Sequence, residues 1–139
     1  MPVIDSPIRV LFGDTDALGI VYYANYLRYF EVGRAEWFRV LDEPFTHYIE
    51  RDYFLVVIES HLRYHRPARY DQVIRIRTIL KEISGARMRL DYQVVDHATG
   101  EVLVSGYTKH TVTDKAGKIR RFTREFKEKM QGLVNDGFD

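Results

Sequence analysis

The residues best suited to chemistry crowd into one stretch, Phe12-Gly13-Asp14-Thr15-Asp16-Ala17-Leu18-Gly19-Ile20-Val21-Tyr22-Tyr23-Ala24-Asn25-Tyr26. Two carboxylates flank a threonine ahead of a glycine loop, which runs into the start of a helical pattern. A helix N-terminus carries unpaired backbone N–H groups and a partial positive charge. None of Ile20 to Ala24 offers a good side-chain cap, which leaves those groups open to a ligand. A carboxylate beside such a cluster suits acyl transfer: it attacks a carbonyl or activates water, while the N–H groups stabilise the oxyanion. A plainer reading stays open beside it. Asp-Thr-Asp also suits a turn in which Asp14 and Thr15 make local hydrogen bonds and Asp16 caps a backbone group.

Other chemistry finds less support. Ser105 is preceded by Leu103-Val104 and does not sit in a Gly-x-Ser-x-Gly elbow. His61 and His65 have a spacing that binds zinc on a helix, but on a strand they stand about 13 Å apart at roughly 3.3 Å per residue. They read as surface residues or as neighbours across a subunit contact. No metal motif and no phosphate-binding glycine loop is present. The arginines have two readings. Most solvate an outer sheet face, whereas Arg66, Arg69, Arg87 and Arg89, near strand ends, have the chemistry to hold a phosphorylated ligand.

Hydrophobic periodicity supplies the elements that position these groups. Ile8 to Phe12 reads as a short strand ended by Gly13-Asp14-Thr15-Asp16. A helical pattern runs to about Leu41, with Tyr26, Phe30, Gly33, Trp37 and Val40 on one face and Arg28, Arg34 and Arg39 largely off it. Gly33 lowers helix propensity by about 1 kcal/mol relative to Ala, so its place in the apolar stripe points to close approach to a sheet. Asp42-Glu43-Pro44 ends the helix. From Phe54 the period becomes two. Val56, Ile58, Ser60, Leu62 and Tyr64 form one face of a strand; Ile74, Ile76, Thr78 and Leu80 form another, and so do Met88, Leu90, Tyr92 and Val94. A further strand spans Val102 to Val112, and Thr123 caps a last helix reaching about Val134. Short turns between the strands predict antiparallel pairing, and the apolar helix face predicts packing on the sheet, an α+β class.

The chain's 139 residues fit one domain, spanning residues 1–139, and 45% apolar with 29% charged residues suits a folded protein. Lys and Arg total 21 against 20 Asp and Glu, a net charge of +1, which disfavours a dedicated nucleic-acid binder. Cysteine is absent, which removes disulfides and thiolate chemistry and suits a reducing compartment. The N-terminus lacks a signal-peptide pattern and no apolar run reaches the roughly 18 residues of a membrane span, so a cytoplasmic location is expected.

Gly13 to Tyr26, continuing through Tyr29-Phe30-Glu31 and Arg34, resembles the 4-hydroxybenzoyl-CoA thioesterase family of hotdog-fold acyl-CoA thioesterases. Tyr64-His65-Arg66-Pro67-Ala68-Arg69-Tyr70-Asp71 is similar to that family's turn between its second and third strands, and the resemblance runs from about Ile8 to Thr113. It implies a five-stranded antiparallel sheet wrapped around the long helix, homodimers with active sites at the subunit interface, and commonly homotetramers. It implies hydrolysis of an acyl-CoA or acyl-carrier-protein thioester without metal or other cofactor. Asp16 matches the catalytic aspartate, as nucleophile or general base, and the Tyr23 backbone N–H matches the group that polarises the thioester carbonyl. Gly19 matches the glycine that lets the loop approach substrate, and Val21, Tyr22 and Tyr26 are expected beside it. Many relatives carry His at the position of Tyr23, so the resemblance assigns a role to its backbone and not to its side chain. A related arm of the superfamily uses a carboxylate on the central helix, which makes Glu31 and Glu36 second choices.

Three rival functions follow from the same residues. A non-hydrolytic binding module for acyl-CoA or acyl-carrier protein would bind without releasing thiol, and Asp16 weighs against it. A hotdog dehydratase needs a His with a carboxylate, and no His precedes the long helix. A single-strand nucleic-acid surface would bind with steep salt dependence.

Overall fold

In the computed structural model, which describes residues 2–138, the alternating segments pair into one antiparallel sheet. The elements are β1 (Ile4–Arg9), α1 (Asn25–Leu41), α2 (Thr46–Glu50), β2 (Phe54–Tyr64), β3 (Val73–Ser84), β4 (Arg87–Asp96), β5 (Val102–Thr113) and α3 (Arg124–Gln131). The sheet order is β1-β3-β4-β5-β2, so β1 and β2 are its edges. Helix α1 packs on one face, the hotdog arrangement that the resemblance implies.

Burial follows the expected period on two strands. Ile74, Ile76, Thr78 and Leu80 of β3 meet Met88, Leu90, Tyr92 and Val94 of β4 in a fully enclosed layer under α1. Phe30 stacks on Tyr92 with ring centroids 4.2 Å apart, and its ring covers Gly106 of β5, where a Cβ would stand 3.0 Å from Phe30 Cε2. Gly33 brings the helix backbone down onto β3: a Cβ there would lie 2.7 Å from Ile76 Cγ2 and closer still to Thr78 Oγ1.

The structure also departs from the periodic reading. The first strand is Ile4–Arg9 and not Ile8 to Phe12, because Leu11 and Phe12 leave the sheet in a 3-10 turn and stand exposed. Pro7 is tolerated in β1 because an edge strand needs no ladder bond on its outer side. Val40 is 57% exposed, and Tyr29 and Phe38 complete the buried stripe of α1 instead. In β2 a bulge at Ile58 reverses the phase. Leu55 and Val57 pair with Val112 and His110, on the same side as Ser60 and Leu62, whereas Val56 pairs with Thr111 on the far side. Helix α3 stops at Gln131; beyond it Val134 bridges to Leu80 and the Asn135 N–H bonds the Leu80 carbonyl, extending the sheet edge where β1 has ended.

One polar chain crosses this apolar layer. Arg34, half-buried on α1, donates to the Tyr92 hydroxyl at 3.1 Å; that hydroxyl meets Thr108 Oγ1 at 2.7 Å, and Thr108 Oγ1 meets His110 Nε2 at 2.7 Å. Burial, reinforced by the Arg34 charge, pushes the His110 imidazole down to about 3.

Two measurements test this packing. Gly33→Ala gains about 1 kcal/mol of helix propensity but overpacks β3, so a net loss of about 1–3 kcal/mol is expected in urea unfolding. His110 stays neutral in the fold while an unfolded histidine protonates near 6.5. Its contribution is therefore intact above about pH 6.5 and declines as pH falls, by up to about 1.4 kcal/mol per pH unit. His110→Gln should flatten the stability profile between about pH 6 and 4; an unchanged slope would remove His110 from that account.

Candidate active site

After β1 the chain must turn through Gly13-Asp14-Thr15-Asp16 and start a helix that has no side-chain cap, since Ala24 occupies the N-cap position. Asp14 anchors the turn. Buried, it accepts hydrogen bonds at Oδ2 from the Leu11 N–H and from the Tyr29 hydroxyl, both at 3.0 Å, and Arg28 lies 3.8 Å from its Oδ1. Burial and the Asp14 carboxylate together push the Tyr29 phenol well above its ordinary range, so it remains a proton donor. The Asp14 carbonyl accepts the Tyr22 N–H at 2.9 Å and Asn25 Nδ2 at 2.8 Å.

Beyond Asp14 the chain forms a small hairpin in which Thr15 bridges Val21. The Asp16 N–H donates to the Ile20 carbonyl at 2.9 Å and the Asp16 carbonyl accepts the Gly19 N–H at 3.0 Å. Gly19 has φ +77°, which explains the glycine by backbone conformation; a Cβ there would meet nothing within 4 Å. Asp16 itself is exposed. Its Oδ1 accepts the Leu18 N–H at 2.8 Å, and among the described residues its Oδ2 meets no donor. The bonds of the plainer reading are all present, since Asp14 and Thr15 bond within the turn and Asp16 Oδ1 caps the Leu18 N–H, but Asp16 keeps its second carboxylate oxygen free as well.

The second motif clamps this hairpin from the other side. Ala68, fully enclosed, accepts the Val21 N–H at 2.9 Å and donates its own N–H to the Tyr26 hydroxyl at 3.2 Å, while Ile20 bridges Arg69. At the helix start the Tyr22 carbonyl accepts the Asn25 N–H at 2.8 Å. Among the described residues the N–H groups of Tyr23 and Ala24 donate to no protein acceptor. They are the open donors that the sequence predicts.

An apolar groove of about 310 Å³ runs beside them, walled by Ile20, Val21, Tyr23, Tyr26, Tyr64 and Pro67, with His65 and Arg66 also lining it. Tyr22 packs against Tyr23 with ring centroids 4.8 Å apart and is exposed. Arg66 is exposed and paired with Glu101 at 3.1 Å, and a wider polar cleft beside it contains Arg69, Asp71 and Asp96. The structure does not bring Arg87 and Arg89 to this loop. They lie at the opposite end of the sheet, where β3 turns into β4, and Arg89 is engaged by Asp91 at 2.7 Å and lies over the Tyr107 ring. Nor do Glu31 and Glu36 line the groove. Glu31 borders a different one with Arg28 and Val32, and Glu36 pairs with Arg39. His61 stacks on Tyr107 and His65 Nε2 meets Ser105 Oγ at 2.9 Å, so each has its own partner. A more enclosed aromatic cavity of about 270 Å³, between Phe45, Tyr48, Tyr53 and Phe126, sits among α2, α3 and the first residues of β2 and has no link to the aspartate loop.

Sequence reasoning missed Asn25 and Tyr64 as parts of this site. Both lie inside the quoted motifs, but their contacts span 11 and 41 residues and no local pattern encodes them. The division between the aspartates is testable by stability alone. Asp14→Ala should lower unfolding free energy by about 2–4 kcal/mol, because Leu11 N–H and Tyr29 O–H lose their acceptor, whereas Asp16→Ala should shift it by under about 1 kcal/mol. Equal losses in urea titrations would sink the distinction.

A model of the thioesterase-like superfamily matches residues 10–131, which takes in the hairpin, α1 and every strand of the sheet but β1. A putative esterase of Aquifex aeolicus is 32% identical over 120 residues, 86% of this chain and 91% of that one. The acyl-CoA thioesterase YbgC of Haemophilus influenzae is 28% identical over 124 residues, 87% of this chain and 89% of that protein. A solved structure of a hypothetical protein from Aquifex aeolicus superposes with a TM-score of 0.84 at 30% identity, over 91% of this chain and 98% of the other. With the matched region containing the uncapped helix start and both aspartates, this chain belongs to the thioesterase-like superfamily.

Proposed function

We propose that this chain hydrolyses an acyl-CoA thioester to the free acid and coenzyme A, with Asp16 as the catalytic carboxylate and the Tyr23 N–H as oxyanion donor. One observation carries the reading: Asp16, exposed and with its Oδ2 free, is tied through its backbone N–H to the Ile20 carbonyl, and Ile20 and Tyr23 line one groove beside unpaired helix-start N–H groups. The acyl group lies along the tyrosine-walled groove with its carbonyl oxygen at Tyr23 N–H. Asp16 either attacks the carbonyl carbon, giving a mixed anhydride that water then cleaves, or takes a proton from a water that attacks directly. In both routes the C–S bond breaks, a C–O bond forms, and the thiolate leaves to be protonated. The groove's paired tyrosines suit an aryl or an aliphatic acyl group, and Arg66 in its lining and Arg69 in the polar cleft beside it suit the phosphates of coenzyme A.

The finer placement rests on the same motifs. Gly13 to Tyr26 supports membership of the 4-hydroxybenzoyl-CoA thioesterase group, as a single domain acting in the cytoplasm. No helix among the described residues is long and apolar enough to cross a membrane. The working unit is a homodimer, and two such dimers form a homotetramer. Edge strand β2 supports this, because it leaves Val56, Val57 and Ile58 each more than 40% exposed on an open hydrogen-bonding edge.

The test is thiol release across aryl-, short-, medium- and long-chain acyl-CoAs. Asp16→Ala should lower kcat by about 10²- to 10⁴-fold with the fold intact. Near-normal turnover in that variant would overturn the assignment, and saturable acyl-CoA binding without thiol release would favour the non-hydrolytic module. Turnover in ¹⁸O-labelled water separates the two routes: label entering Asp16 marks carboxylate attack.

A further inference from the structure

The proposed chemistry requires two groups from different segments to hold one geometry, a carboxylate on the hairpin and an N–H at the helix start. Asn25 touches both segments. Its Nδ2 donates to the Asp14 carbonyl at 2.8 Å, two residues before Asp16, and its backbone N–H donates to the Tyr22 carbonyl at 2.8 Å. The Tyr22 carbonyl belongs to the peptide unit whose other end is the Tyr23 N–H. That unit is therefore fixed through its oxygen while its N–H stays unspent. The following peptide is held as well, because the Tyr64 hydroxyl reaches across from the end of β2 to the Tyr23 carbonyl at 3.3 Å. The orientation of the Asn25 amide is set by its partner, since a carbonyl oxygen accepts only from the NH₂ side.

Resting on the thioesterase reading above, we infer that Asn25 is a positioning residue, which ties the hairpin bearing Asp16 to the Tyr23 N–H and sets their separation in the transition state. The fold does not depend on the same bond. The Asp14 carbonyl still accepts the Tyr22 N–H at 2.9 Å, and the Asp14 carboxylate keeps Leu11 and Tyr29, so loss of the Asn25 amide leaves the turn closed. A small misplacement of a reacting group lowers turnover far more than it lowers stability.

Steady-state kinetics of Asn25→Ala and Asn25→Asp decide the matter, measured on the best acyl-CoA of the panel at a temperature well below both unfolding midpoints. The expected result is a fall in kcat of about 10- to 100-fold with KM within about threefold, because an interaction realised in the transition state appears in kcat. Asn25→Asp, which keeps the shape but cannot donate, should fall with Asn25→Ala. Met130→Ala serves as the stability control: Met130 is fully buried on α3, whose end meets Leu80 and not the aspartate loop, so its truncation destabilises the fold and should keep kcat at that temperature. A kcat within about threefold of wild type in both Asn25 variants, or a loss confined to KM, would overturn the inference while leaving the thioesterase reading standing. A wild-type chain that releases thiol from no member of the panel would remove both.

Discussion

A buried carboxylate with donors supplied from two segments, the turn after β1 and the start of α1, is the constraint around which the site is assembled. Asp14 stands between the end of β1 and the first turns of α1, and its oxygens are satisfied by Leu11, Tyr29 and Arg28. A carboxylate taken out of water must find such donors or lose far more than it gains. Meeting that demand draws the turn against the helix and fixes where the hairpin leaves it. Asp16, two residues further on, is carried outward with one oxygen free, and the helix start arrives beside it without a cap. The structural aspartate is thus what leaves the other aspartate available.

The sheet holds α1 in register by close approach at two glycines. Gly33 lets the helix backbone rest on Ile76 and Thr78, and Gly106 lets the Phe30 ring lie flat against β5 and Tyr92. Since α1 is pinned at Phe30 and Gly33, its first turn is carried rigidly to the end of the sheet where β2 passes into β3. That end also holds Tyr64 and Ala68, which close the groove and clamp the hairpin. Substrate groove, free N–H groups and carboxylate loop share one end of one helix because the packing of its centre leaves no freedom at its tip.

Much of this was legible in the residues themselves. The change of period at Phe54 marked where helix gave way to strands, Asp42-Glu43-Pro44 marked the end of α1, and Gly33 inside an apolar stripe marked a close contact. These features are local, governed by backbone geometry and side-chain alternation over a few residues. Thr123 belongs with them, since its hydroxyl accepts the Phe126 N–H as an N-cap should. What escaped were features set by partners distant in the chain. Ile58 looks like an ordinary apolar strand residue, and only its alignment against β5 makes it a bulge that reverses the phase of β2. Arg87 and Arg89 look like phosphate ligands at a strand end, and the direction of the hairpin puts them at the far end of the sheet from the aspartate loop of the same chain.

The sequence by itself determined the order of the strands and of the first and last helices, though not the short α2, together with the antiparallel α+β class and the stretch in which chemistry could reside, because periodicity, caps and breakers act within a turn or two of the chain. It also determined that the helix starting after Tyr22 has no cap of its own. Only the tertiary structure decided which aspartate is buried and which is free, because the two are alike in type and context and differ only in whether Tyr29 and Leu11 reach them. The tertiary structure likewise selected Asn25 and Tyr64 as neighbours of the open N–H groups, since contacts between β2, the hairpin and α1 exist only once the long helix has been laid on the sheet.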